Sequence, residues 1–136
     1  MIFPMFTMVV LIFVFMVYTL LIRISSVRSG TVPLKYFKLF NGDAPEVVIK
    51  TNRHFSNLFE TPVLFFIAGT LCIVLKVESG FTIALAWIYV GLRCVHMYIH
   101  LTYNKILHRM IVFLLSLICI LILWCAILAG HLNNSV

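Results

Sequence analysis

Charge is what this chain has least of. Its 136 residues include ten Lys and Arg and four Asp and Glu, 10% in all, where soluble domains carry about 25%. So few charged groups do not coat a water-soluble globule of this length. A disordered chain, which stays unfolded because it is polar and charged, is excluded on the same ground. Cysteine is scarce too. Cys72, Cys94, Cys119 and Cys125 all fall inside apolar stretches and form no CxxC pair. That excludes a secreted disulfide scaffold and leaves them as small buried hydrophobes. The familiar catalytic signatures are missing as well: there is no HExxH, no glycine-rich phosphate loop and no Ser-His-Asp arrangement.

What is present is apolar length. Hydrophobic residues make up 63% of the chain, gathered into four runs. Residues 1–22 carry no charge and Arg23 follows at once. With no basic leading region and no small-residue cleavage site, this run reads as a spanning helix rather than a cleaved signal. The second run, 61–75, is short and takes its polar end from residues 52–60. The third runs from 79 to 92 and continues through Arg93 to about 103, and the fourth from 110 to about 132. A spanning helix needs about 20 residues. The expectation is one all-α integral membrane domain over 1–136, a four-helix bundle with spans about 1–23, 52–76, 80–103 and 110–132. Nothing is left over for a soluble catalytic domain, so any chemistry must be built from the helices and their connections.

The net charge of +6 invites a nucleic-acid partner, but position argues for a lipid bilayer. Six of the ten basic residues (Arg23, Arg28, Lys35, Lys38, Lys50, Arg53) lie between the first two apolar runs, and Lys105 and Arg109 lie in the third connection. The positive-inside rule then puts both termini outside and the first and third connections in the cytoplasm. Within the first connection, Ser25, Ser26, Ser29, Gly30 and Pro33 are expected to break the first helix. Residues 33–40 interleave aromatics with lysines, as suits a segment in the headgroup layer. Asn41-Gly42 is a turn signal, and Asp43 with Glu46 has the form of a capping box opening the second helix.

The polar residues of the second and third helices form stripes. Glu46, Lys50, Arg53, Asn57 and Glu60 step by four, three, four and three, and Arg93, His96, His100 and Tyr103 by three, four and three, so each set lies along one helix face. If the two stripes face each other across an antiparallel hairpin, Arg93 and His96 are candidate partners for Glu60. A buried arginine costs at least about 2.5–3.5 kcal/mol within a span and needs a carboxylate or carbonyl. One reading is therefore a structural Arg93–Glu60 bridge. The other is a cationic, hydrogen-bonding pocket in which Arg53, Arg93 and Arg109 with His96, His100, Asn57 and Glu60 receive an anionic ligand. His96 and His100 at i, i+4 would hold a metal only with a third ligand from His54, His108 or Glu60, so no metal site is expected.

The stretch Arg53-His-Phe-Ser-Asn57-Leu-Phe-Glu60-Thr-Pro62 resembles the MAPEG family, the membrane-associated proteins in eicosanoid and glutathione metabolism. The run from Arg93 through His96 and His100 to Arg109 is similar to the family's prostaglandin E synthase branch, and residues 33–41 to its bacterial members. The resemblance covers essentially the whole chain. It implies a four-helix bundle assembling as a homotrimer, with glutathione as co-substrate held between neighbouring subunits. By that match Arg53, Asn57 and Glu60 hold the tripeptide, Glu60 accepting from its amine. His96 and His100 fall where third-helix residues contact the ligand, and Arg109 where an arginine stabilises the glutathione thiolate. A lipophilic substrate arrives from the membrane. His100 stands where many members have a tyrosine, and Met110 and Phe113 where the prostaglandin branch has a serine and a tyrosine, which points away from the prostaglandin reaction.

Two functions are consistent with this reading. One is a glutathione-dependent transferase or peroxidase acting on lipophilic electrophiles. The alternative is a non-catalytic scaffold or lipid-binding protein of the same fold, its polar stripes serving only packing or headgroup contact.

Overall fold

The computed structural model describes residues 1–40 and 42–134. Its elements are α1 (Ile2–Arg28), α2 (Tyr36–Leu39), α3 (Glu46–Val74), α4 (Gly80–Leu101) and α5 (Ile106–Asn134). All but α2 are long and apolar enough to cross a membrane. The result is an all-α bundle of four spanning helices with α3 and α4 at its centre. α1 packs against α3 and α4 from one side, and α5 packs against the same two from the other.

The serines do not break α1 where the sequence suggests. The Ser26 hydroxyl donates back to the Ile22 carbonyl at 2.8 Å, a bond compatible with a continuing helix, and α1 runs on to Arg28. The chain turns at Gly30, whose φ is +71°. The Ser26 carbonyl anchors that turn, accepting from the Thr31 hydroxyl at 2.9 Å and the Val32 amide at 3.2 Å.

The capping box expected at Asp43 and Glu46 is also not formed. Pro45 is the N-cap of α3, with no side-chain cap bond. A residue before proline is held extended, so Ala44 cannot join a helix begun at Asp43. Glu46 instead pairs with Lys50 at 2.7 Å, one turn along. Asn41 of the expected Asn41-Gly42 turn lies outside the described residues, and Gly42 has a φ of +109°.

The α3–α4 hairpin closes with two defined caps. Lys76 takes a left-handed φ of 55°. Its amide bonds the Ile73 carbonyl, and the Val77 amide bonds that of Cys72 at 3.0 Å. This is a Schellman ending made without glycine. α4 then opens on a reciprocal box. The Thr82 amide donates to Ser79 Oγ at 3.2 Å and the Ser79 amide to Thr82 Oγ1 at 2.9 Å.

The core runs through the bundle centre, with Met8 and Phe15 of α1, Phe65 and Cys72 of α3, and Ala86 and Tyr89 of α4 all sealed. Phe65 and Tyr89 stack at 4.6 Å between ring centres. Gly69 lets α1 approach α3: a Cβ there would fall 2.6 Å from the Met5 sulfur. Large apolar side chains cover the outside, among them Phe3, Phe6 and Phe13 of α1 and Leu114, Leu121 and Leu128 of α5. In lipid such a surface needs no further burial. Arg23, Arg53, Arg93 and Arg109 gather toward the end where α1 and α4 finish and α3 and α5 begin.

Candidate functional site

Helix geometry decides which polar groups meet at that basic end. The buried residues of α3 include Thr51, His54, Leu58, Thr61, Phe65, Ala68 and Cys72, a stripe of threes and fours. The polar stripe Arg53-Asn57-Glu60 lies one residue behind it, about 100° around the helix. The stripe is therefore real, but it does not face α4. Arg53 and Glu60 are exposed, and Asn57 at the boundary is half-buried.

His54 occupies the inward position instead, 1% exposed. Its ring stands 4.9 Å from that of His100 and 5.5 Å from that of His96, and His96 and His100 are 6.0 Å apart. Phe15 closes the cluster edge-on against His54 at 4.5 Å. The α4 stripe does point inward, with Arg93 2%, His96 3% and His100 0% exposed. Tyr103 falls beyond the end of α4 and bonds His108 at 3.1 Å.

The Arg93–Glu60 bridge is not formed. Arg93 Nη2 donates to the backbone carbonyl of Asn57 at 3.0 Å. Its guanidinium carbon lies 5.9 Å from the Tyr89 ring and 5.8 Å from the Phe113 ring. The carbonyl takes the place of the carboxylate because Glu60 is turned to the outer face. Two aromatic faces give the remaining charge a partial partner.

One pocket of about 320 Å³ brings part of the expected set together. Asn57 from α3, His96 from α4 and Arg109, Met110 and Phe113 from α5 line it. α5 begins at Ile106, so Arg109 sits within its first turn rather than ahead of it. Arg109 is held by a hydrogen bond from Nη1 to Asn104 Oδ1 at 2.8 Å, leaving the rest of the guanidinium fork available. Arg93 stands behind the pocket through Asn57, His100 lies deeper, and Arg53 and Glu60 remain outside it.

Buried polar atoms are normally hydrogen-bonded. Among the described residues Arg93 Nη1, His96 Nδ1 and both ring nitrogens of His54 and His100 are buried without a partner. With Arg109 they form a set rich in donors beside an apolar wall, suited to an anion. A metal is a poor fit: among the described residues no three His, Cys, Asp or Glu side chains are placed to hold one, and two guanidiniums stand close by.

Sequence reasoning missed His54 as a core residue. The signal was available, since His54 falls in step with Thr51, Leu58 and Thr61. Arg23 donates twice to Asn52 Oδ1 at 3.0 and 2.8 Å, a pairing that spacing alone does not reveal. The family model that matches the chain is that of the MAPEG family, over residues 1–129. No curated protein and no solved structure matches it.

Proposed function

The chain belongs to the MAPEG family, and on that premise we propose that it is a glutathione-dependent transferase or peroxidase of the membrane. In this reading it activates the glutathione thiol for attack on lipophilic electrophiles. The observation that supports this most is the convergence of Asn57, His96 and Arg109 from three different helices on one pocket. Membership alone supports the coarser statement, a multi-span membrane protein associated with glutathione metabolism.

Glutathione supplies the sulfur nucleophile; the chain's own residues bind and tune it. A thiol of pKa about 8.5 ionises near neutrality when a cation stands beside it. Arg109, fixed by Asn104, is that cation. Arg93 and His96 add donors from buried positions, where a hydrogen bond to a charged acceptor is strong. Arg53 and Glu60 complete the set from the exposed face of α3, for a carboxylate and an amine of the tripeptide. Their outward position suits a site closed by a neighbouring copy, so the active form is a homotrimer. The basic end faces the cytoplasm, where the first and third connections carry most of the cations. Phe113 and Met110 give the pocket an apolar wall toward the lipid, from which the second substrate enters.

Conjugation of a generic aryl halide by the purified protein tests this. Arg109→Ala is expected to lower turnover by about 10²–10³, the usual cost of removing one donor that stabilises a developing anion. Lys105→Ala, an exposed cation one turn away, is expected to change it by less than about twofold. Equal effects of the two would remove Arg109 from the thiolate role. The alternative, a scaffold without catalysis, draws on the outward placement of Arg53 and Glu60, and conjugation no faster than the uncatalysed reaction by an intact assembly would favour it.

A further inference from the structure

A second polar feature lies on the other side of α3, between α1 and the short helix α2. Arg23 is the first charged residue after the apolar run of α1, so it marks the boundary of the hydrocarbon layer. Its Nε and Nη2 both donate to Asn52 Oδ1. The rings of Phe55, Phe40 and Phe37 stand 5.3, 5.5 and 5.7 Å from its guanidinium carbon. It is thus held firmly, and its partners among the described residues are all neutral. Both ion pairs among the described residues lie elsewhere, Lys50 with Glu46 and the Met1 amino group with Glu78. One edge of the guanidinium is occupied by Asn52, and the edge carrying Nη1 has no hydrogen-bond partner among the described residues. A free guanidinium edge matches the oxygen spacing of a phosphate.

Two grooves meet at this residue. The upper, about 640 Å³, is lined by Arg23, Asn52, Arg53 and Ser56, with Tyr36 and Phe40 over them. The lower, about 330 Å³, is lined by Phe13, Met16, Val17 and Leu20 of α1 and again by Arg23 and Phe55. No acidic side chain lines either among the described residues. From Phe13 to Arg23 the helix rises about 15 Å, half of a hydrocarbon core about 30 Å thick. A groove that is cationic at the boundary and apolar for the depth of one leaflet has the shape and chemistry of a single lipid. Basic pockets between spanning helices commonly receive anionic headgroups.

We propose that the groove between α1 and α3, roofed by α2, is a binding site for an anionic phospholipid. The phosphate sits on the free edge of Arg23, and one acyl chain lies along Phe13, Met16, Val17 and Leu20. The lipid fixes the α1–α2 corner to the membrane and supplies the anion that Arg23 lacks among the described residues. The site does not depend on the glutathione reading, because the Asn57–His96–Arg109 pocket opens between α3, α4 and α5.

Native mass spectrometry of the detergent-purified full chain tests it, with phosphatidylglycerol and phosphatidylcholine of identical acyl chains as probes. Phosphatidylglycerol is expected to be retained at least tenfold better, and Arg23→Gln to abolish that preference. Leu20→Trp, which fills the lower groove and leaves the charge intact, is expected to lower phosphatidylglycerol retention at least fivefold, and it serves if Arg23→Gln does not fold. Millimolar inorganic phosphate is expected not to displace the lipid. Equal retention of the two lipids would overturn the proposal, as would a loss on Lys38→Gln as large as on Arg23→Gln, which would mean diffuse attraction only. Displacement by phosphate would leave a plain anion site, and displacement by glutathione would assign the groove to the tripeptide; either result sinks the lipid.

Discussion

Arg93 shows how a single side chain can be read correctly in kind and wrongly in detail. Its spacing with His96 and His100 places it inside the bundle, and it is there, 2% exposed. Its partner differs from the obvious acid. Glu60 is the acid nearest in register, but a displacement of one residue, about 100°, separates the polar stripe of α3 from the buried one, and Glu60 faces out. The offset was hard to read because His54 looks polar while occupying a core position in step with Leu58 and Thr61. Glu60→Gln should therefore change the thermal stability of the detergent-solubilised protein by no more than about 0.5 kcal/mol, as for exposed substitutions generally. A loss of about 3–5 kcal/mol, typical of breaking a buried ion pair, would show that Glu60 does partner Arg93.

At the scale of helices, the apolar runs gave away the number and order of spans, and local polar chemistry decided their ends. α1 outlasts its serines because the Ser26 and Ser29 hydroxyls fold back onto carbonyls of their own helix. α3 starts at Glu46 because Pro45 holds Ala44 extended. The α4 start, by contrast, rests on a reciprocal Ser79–Thr82 cap that hydropathy alone does not reveal. Removing a cap of this type costs about 1 kcal/mol. Ser79→Ala should thus destabilise the protein by about that amount in thermal or denaturant unfolding, while Asp43→Ala should leave it unchanged. The reverse order would restore the Asp43 cap and contradict the observed α3 start.

For the molecule as a whole, the informative residues are those that one chain does not use. Arg53 and Glu60 project from α3 beside Asn57 without an ion-pair partner among the described residues. Outward carboxylate and guanidinium groups near a donor-rich pocket fit a site completed by a neighbour. Mass measurement of the detergent-solubilised assembly should give three copies, and a monomer retaining full conjugation activity would contradict a shared site. Assembly was not legible from composition or periodicity, which describe how one chain folds against itself; it entered only through the resemblance of the Arg53-Asn57-Glu60 motif. The most direct test of glutathione activation is the ultraviolet absorbance of the thiolate on adding millimolar glutathione to the intact assembly at neutral pH. A saturable thiolate signal, lost in Arg109→Ala and kept in Lys105→Ala, is the expected result. No thiolate signal from an intact assembly would contradict it.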